Sequence, residues 1–169
     1  SKMKGFTLIE LIVVIAIIGV LAAILVPSMM GYVGDSKLST ANANAKLVYT
    51  NTATYATKCE VAGYPMNAAC TIATATSLQE ANVTGQVAAP TAQPTGTDLT
   101  NALKQLMGSS TTAAGVFKVD VNASGTPTFA AWAKTADDQY VGAYPNATTA
   151  KTAGKIAGVT ATFTGDSTN

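Results

Sequence analysis

Residues 6–30 read FTLIELIVVIAIIGVLAAILVPSMM, a stretch that is almost entirely apolar. Its only charged side chain is Glu10. The apolar part is about 20 residues long, which as a helix matches the roughly 30 Å hydrocarbon core of a bilayer. A secretory signal peptide has a shorter apolar core of about 7–15 residues, so that interpretation fits poorly.

Glu10 separates the remaining interpretations of this stretch. An ordinary membrane anchor has the right length, but it does not account for a carboxylate within an apolar helix. An ionisable side chain in that setting is costly and indicates a function. The alternative is that Glu10 lies at the end of the helix and reaches interfacial water.

The order of residues around Glu10 is similar to that of a known family. Lys2 and Lys4 precede the segment GFTLIEL at residues 5–11, and the apolar run and Pro27 follow it. This order resembles the N terminus of a type IV pilin precursor. The resemblance covers residues 4–27 and implies the pilin fold, in which a long N-terminal helix packs against an antiparallel β-sheet.

The resemblance also implies a processing site. A prepilin peptidase would cut between Gly5 and Phe6, the amine of Phe6 would be methylated, and residues 1–5 would be a leader remnant. Glu10 would pair with the Phe6 amine of a neighbouring subunit. Such a pair would offset the cost of a carboxylate among packed apolar helices and would fix the axial register.

The helical pattern continues beyond the apolar run. We predict a helix over residues 6–57, with residues 6–30 as membrane or filament core and residues 31–57 packed on the head. The predicted buried face has small and apolar side chains at spacings of three and four: Gly31, Gly34, Leu38, Ala41, Ala45, Val48, Thr52 and Tyr55. The opposite face has Asp35, Ser39, Asn42, Lys46 and Thr50. Three tyrosines along the helix are expected to be buried anchors: Tyr32, Tyr49 and Tyr55.

Gly19 and Pro27 form the expected weak point of this helix. Pro27 lacks an N–H group and its ring crowds the carbonyl of Ala23, which predicts a modest kink. The resemblance implies a second use, in which the Gly19–Pro27 region loosens on assembly. The small residues there also suit close helix packing.

Residues 58–169 are predicted to form a globular extracellular head rich in Thr, Ala, Gly and Asn. Behind a membrane anchor, Cys59 and Cys70 are expected to form a disulfide. Residues 77–97 are expected to be a loop, followed by a short helix in which Asp98 is the cap and Gly108 the stop. An antiparallel meander of four strands is then predicted at Phe117–Val121, Thr128–Ala133, Gln139–Ala143 and Val159–Thr164.

Composition excludes most other classes of function. Charged residues make up 11% of the 169, the net charge is +1, and the chain contains neither Arg nor His. Catalysis that needs His is therefore ruled out. A chain with a net charge near zero and no Arg lacks the basic surface that is typical of nucleic-acid-binding proteins. We expect no enzyme, no cofactor and no metal site.

The expected function is that of a structural subunit which polymerises into a type IV pilus. The partners would be other copies of the chain, the prepilin peptidase, and an inner-membrane assembly machinery with a separate ATPase. The precursor would lie in the cytoplasmic membrane and the product on the cell surface. The alternatives are a pseudopilin of a type II secretion or DNA-uptake system, and a membrane-anchored binding domain that never polymerises.

Overall fold

The computed structural model describes residues 5–79, 86–107 and 113–166. They form an α+β arrangement of one long helix and an antiparallel sheet, which confirms the predicted fold class. The elements are α1 (Leu8–Val61), β1 (Ile72–Ser77), α2 (Gly96–Met107), β2 (Val116–Val121), β3 (Pro127–Ala133) and β4 (Gly142–Tyr144), with 3-10 turns at Ala68–Cys70 and Ile156–Gly158.

The chain divides into two compact units, residues 1–36 and residues 37–169. The first contains the beginning of α1, and from Leu8 to Val33 its large apolar side chains are exposed. Tyr32 is 77% exposed, so the prediction that it is a buried anchor is wrong. The second unit, which we call the head, contains the rest of α1 together with the sheet and α2.

The sheet is an antiparallel meander in the order β1-β2-β3-β4. Over the described residues the number of strands and the meander are as predicted, but β4 covers Gly142–Tyr144 and not the predicted Gln139–Ala143, and one further predicted strand is replaced by another. Residues 72–77 form a strand, including Ser77 at the start of the predicted loop. Residues 159–164 form no strand. Val159 follows a 3-10 turn and is buried there, so this apolar residue packs in the core without pairing in the β-sheet.

Hydrophobic residues are buried on both faces of the sheet, because successive side chains of a strand point to opposite sides. One face packs on α1 and α2, and Phe117 of β2 lies opposite Trp132 of β3 there. The other face is covered by the C-terminal segment, through Ile156 and Val159. The head is therefore a sheet with a helical layer on one side and an irregular segment on the other.

The helix α1 buries its predicted stripe against the sheet from Ala41 onward, since Ala41, Ala45, Val48, Thr52, Tyr55 and Cys59 are buried. Asn42, which was predicted on the opposite face, instead bonds to the head. Its Oδ1 accepts hydrogen bonds from the backbone N–H groups of Ala143 and Thr148, both at 3.0 Å. Its Nδ2 donates to the carbonyl of Thr148 at 2.9 Å.

Helix α2 begins with a capping box. Thr95 is the N-cap, because its Oγ1 accepts from the Asp98 N–H at 3.5 Å while Asp98 Oδ2 accepts from the Thr95 N–H at 2.8 Å. Asp98 therefore stabilises this end from inside the first turn, whereas the sequence predicted it as the cap itself. The predicted stop, Gly108, lies outside the described residues.

Gly142 permits the close contact between β4 and α1. A Cβ atom at this position would overlap the backbone of Ala41 and Asn42. We predict that Gly142→Ala destabilises the head by about 3 kcal/mol, because neither backbone can move without losing the Asn42 hydrogen bonds. Thermal unfolding followed by the fluorescence of Trp132, the single tryptophan, measures this.

The matched control for this prediction is Gly158→Ala. A Cβ at Gly158 meets nothing within 4 Å. We expect its stability to stay within about 0.5 kcal/mol of the parent chain. Equal effects of the two substitutions would show that the α1–β4 contact is not tight.

Candidate assembly site

The first half of α1 is an exposed apolar surface. The helix is long and apolar enough to cross a membrane, and its most hydrophobic stretch is not buried by any part of the described chain. Large apolar side chains at half or more exposure, such as Ile15 and Ile24, are rare on soluble surfaces in such density. This surface needs a bilayer or other protein around it.

Glu10 and Thr7 form a capping box at the start of this surface. The Thr7 N–H donates to Glu10 Oε2 at 2.9 Å, and the Glu10 N–H donates to Thr7 Oγ1 at 3.3 Å. Each residue thus satisfies a backbone donor that helix geometry leaves without a partner. The carboxylate also lies at the positive end of the helix dipole, where a negative charge is favoured.

This cap was not predicted from the sequence, although the signal was present. Thr7-Leu8-Ile9-Glu10 followed by an apolar run has the spacing of a capping box. The pattern explains how a carboxylate is held in a single chain, before any partner is present. Phe6, where the predicted new N terminus would lie, directly precedes the cap and is exposed.

Pro27 lies inside α1, which continues through it as α-helix. The Ser28 hydroxyl donates to the carbonyl of Leu25 at 2.9 Å, which occupies a backbone acceptor close to the proline. A Cβ at Gly19 would meet nothing within 4 Å. The predicted weak point is thus helical in this structure.

Cys59 and Cys70 are both buried free thiols, so the disulfide predicted from the sequence is not present in the structure. The Cys70 thiol donates to the carbonyl of Pro94 at 3.3 Å. Burial raises the pKa of both thiols and of the Tyr55 hydroxyl.

The C-terminal segment is held on the sheet by a buried lysine. Lys118 of β2 is 8% exposed, and its ammonium group donates to the carbonyls of Val159 at 3.0 Å and Ile156 at 3.3 Å. Burial lowers the pKa of Lys118, while the nearby charge of Asp120 opposes that shift. No sequence pattern indicates this role, since the alternation of apolar and charged residues in β2 predicts a solvated lysine.

Comparisons with known proteins concern the N-terminal segment. Residues 1–26 match the family described as the prokaryotic N-terminal methylation motif. A type IV major pilin protein of Myxococcus xanthus is 53% identical over 47 residues, which are 28% of this chain and 21% of that protein. A type IV major fimbrial protein of Dichelobacter nodosus is 56% identical over 39 residues, 23% of this chain and 25% of the relative. A fimbrial protein of Eikenella corrodens is 63% identical over 38 residues, which are 22% of this chain and 25% of that protein.

The residues that match the prokaryotic N-terminal methylation motif include the start of the exposed apolar helix. Among proteins with this motif, the similarity is to the type IV pilins, which confirms the resemblance drawn from residues 4–27. The chain spans a quarter or less of the length of these relatives. No solved structure matches the chain.

The cap on α1 leads to a first prediction for this site. Thr7→Val removes Oγ1 at nearly constant shape, which costs the first turn about 1 kcal/mol. Hydrogen exchange of the Glu10 amide in detergent micelles should then become about fivefold faster. Thr7→Ser keeps the hydroxyl and should exchange at the parent rate. An unchanged rate in Thr7→Val would contradict the cap.

The buried thiols lead to a second prediction, on the reduced chain. Because folding raises the pKa of Cys59 and Cys70, their contribution to stability is complete below about pH 8.5 and is lost as the pH rises further. Each thiol contributes a slope of up to about 1.4 kcal/mol per pH unit.

The measurement is the free energy of unfolding between pH 8 and pH 10, for the parent chain and for Cys59→Ala/Cys70→Ala. The lowered pKa of Lys118 acts in the opposite direction, and it is present in both chains, so it cancels in the comparison. The free energy of unfolding should fall less steeply with pH in the double variant than in the parent chain. Parallel curves would mean that the thiols ionise equally in the folded and unfolded chains.

Proposed function

We propose that this chain is the structural subunit of a type IV pilus and polymerises through α1. The observation that carries the proposal is a long exposed apolar helix whose first turn holds a capped carboxylate, within a segment that matches the methylation motif. The relatives are named as pilins and fimbrial proteins, which supports this function over the pseudopilin and anchored-domain alternatives.

Processing at Gly5–Phe6 prepares the chain for assembly. A prepilin peptidase removes residues 1–5, which leaves the amine of Phe6 one residue before the Thr7 cap. Methylation of that amine keeps its positive charge. The precursor meanwhile lies in the cytoplasmic membrane through residues 8–26.

Assembly then gives Glu10 a second partner. Its Oε2 accepts the Thr7 N–H, which leaves Oε1 to accept a charged hydrogen bond from the Phe6 amine of a neighbouring subunit. In a filament core of apolar helices this pair neutralises both charges, since either one alone would be costly. Loosening of the Gly19–Pro27 region lets the packed helices adjust. The chain is a building block and not an enzyme, so a separate cytoplasmic ATPase supplies the energy to the inner-membrane assembly machinery.

The direct test is a shearing experiment on cells that produce the chain. Filaments should contain a protein that begins at Phe6, with the mass of one added methyl group. Glu10→Ala leaves the amine without a carboxylate, and we expect sheared filament to fall at least about tenfold.

Glu60→Ala is the matched control, because Glu60 is an exposed carboxylate in the last turn of the same helix. It should leave the filament yield unchanged. If Glu10→Ala filaments form at the parent level, or if the protein stays in the membrane with residues 1–5 attached, the proposal fails.

A further inference from the structure

The apolar half of α1 is bounded by two side chains with polar ends, Glu10 and Tyr32. No charged residue occurs between Glu10 and Asp35, and Ser28 is the only residue with a hydroxyl group between Glu10 and Tyr32. All large apolar side chains between these two residues are exposed. The stretch between Glu10 and Tyr32 is therefore an uninterrupted apolar surface with one polar group at each end.

The length of this surface matches the thickness of a bilayer. Glu10 and Tyr32 are 22 positions apart. At about 1.5 Å per residue they are separated by roughly 33 Å along the helix axis. The hydrocarbon core of a bilayer is about 30 Å thick, so it fits between the two residues without taking either polar group into it. Asp35, the next charged residue, lies about 4–5 Å beyond Tyr32 along the axis.

The Glu10 side chain is directed away from the apolar surface. Its Oε2 accepts a hydrogen bond from the N–H group of Thr7, which lies toward the N terminus of the helix. Residues 5–7 precede the helix and are exposed. A carboxylate held on that side can stay ionised in interfacial water while Leu11 and the residues after it enter the hydrocarbon.

Tyr32 has the properties of an interfacial residue at the opposite end. Its side chain is 77% exposed, and its hydroxyl makes no hydrogen bond to the part of the chain that the structure describes, residues 5–79, 86–107 and 113–166. Tyrosine is enriched where hydrocarbon meets the lipid headgroups, because its ring is apolar and its hydroxyl is polar. There the hydroxyl can donate a hydrogen bond to a lipid ester or phosphate oxygen.

The one side-chain hydroxyl inside the stretch is already satisfied. Ser28 Oγ donates to the carbonyl of Leu25 at 2.9 Å. An unsatisfied polar group in hydrocarbon costs several kcal/mol, so this bond lets Ser28 lie in the bilayer. The apolar surface therefore brings no unpaired polar side chain into the hydrocarbon.

We propose that, in the membrane-bound chain, the hydrocarbon core lies between Glu10 and Tyr32, with the carboxylate in one headgroup layer and the tyrosine ring in the other. The inference rests on the membrane stage of the proposed function and adds its boundaries. The embedded segment then extends beyond Val26 as far as Met30, and Glu10 lies outside it. Glu10 needs no ionic partner in the membrane, and it needs the Phe6 amine only when it enters a filament core.

The test measures the depth of three positions along α1 in phosphatidylcholine vesicles. Ile9→Trp, Leu21→Trp and Tyr32→Trp each add one tryptophan to the full chain, and the parent chain gives the contribution of Trp132. Their fluorescence is quenched with lipids brominated either near the headgroup or near the end of the acyl chain. Because about 15 Å separates the middle of the core from its boundary, Leu21→Trp should be quenched at least about twofold more by the deep bromines. Ile9→Trp and Tyr32→Trp should show the opposite preference.

Tyr64→Trp is the matched control, because it makes the same substitution at an exposed tyrosine of the head. Neither lipid should quench the added tryptophan. Quenching there equal to that at position 32 would show that lipid contact does not require the apolar helix, and would overturn the proposal.

The depth order separates failure of this inference from failure of the proposed function. Stronger quenching of Ile9→Trp or Tyr32→Trp by the deep bromines would place Glu10 or Tyr32 in the hydrocarbon and overturn the proposed boundaries. Quenching of Leu21→Trp without any quenching of Tyr32→Trp would place Tyr32 outside the bilayer and overturn them as well. Absence of quenching at all three positions would overturn the membrane stage itself, whereas the shearing experiment tests polymerisation alone.

Discussion

The close contact of the α1 and β4 backbones at Gly142 is the constraint on which the head depends. The absence of a side chain there lets Ala41 and Asn42 approach the strand. At that distance the Asn42 amide satisfies the N–H groups of Ala143 and Thr148 and the carbonyl of Thr148, which would otherwise lack partners at the edge of the sheet. One glycine and one asparagine therefore fix the helix on the sheet and close the β4 edge.

The beginning of α1 accommodates a carboxylate in an apolar helix through contacts between residues close in sequence. A carboxylate in an apolar helix would be costly, but Glu10 lies at the N3 position of a capping box. It can therefore be accommodated in a single chain while one oxygen remains for a partner. The proposed assembly step needs a carboxylate of this kind, stable before polymerisation and still able to accept a charged donor.

The C-terminal segment covers one face of the sheet without being held there by a disulfide. Cys59 and Cys70 are located between α1, the first 3-10 turn and the loop before α2, so they do not hold the C-terminal segment. Lys118 does so with two hydrogen bonds from one buried ammonium group. Buried apolar contacts of Ile156 and Val159 on either side of these bonds keep water away from them.

Local periodicity and a contiguous motif are enough to predict the long helix, its apolar first half, the stripe buried from Ala41 onward and the similarity to type IV pilins. The sequence also contained the Thr7–Glu10 cap as a four-residue pattern. Only the tertiary structure decided that Asn42 faces the sheet, that residues 72–77 pair with β2 while residues 159–164 do not pair, and that Lys118 is buried. The physical reason is that these features join residues from about 40 to more than 100 positions apart, and no local pattern records which distant backbone will supply a partner.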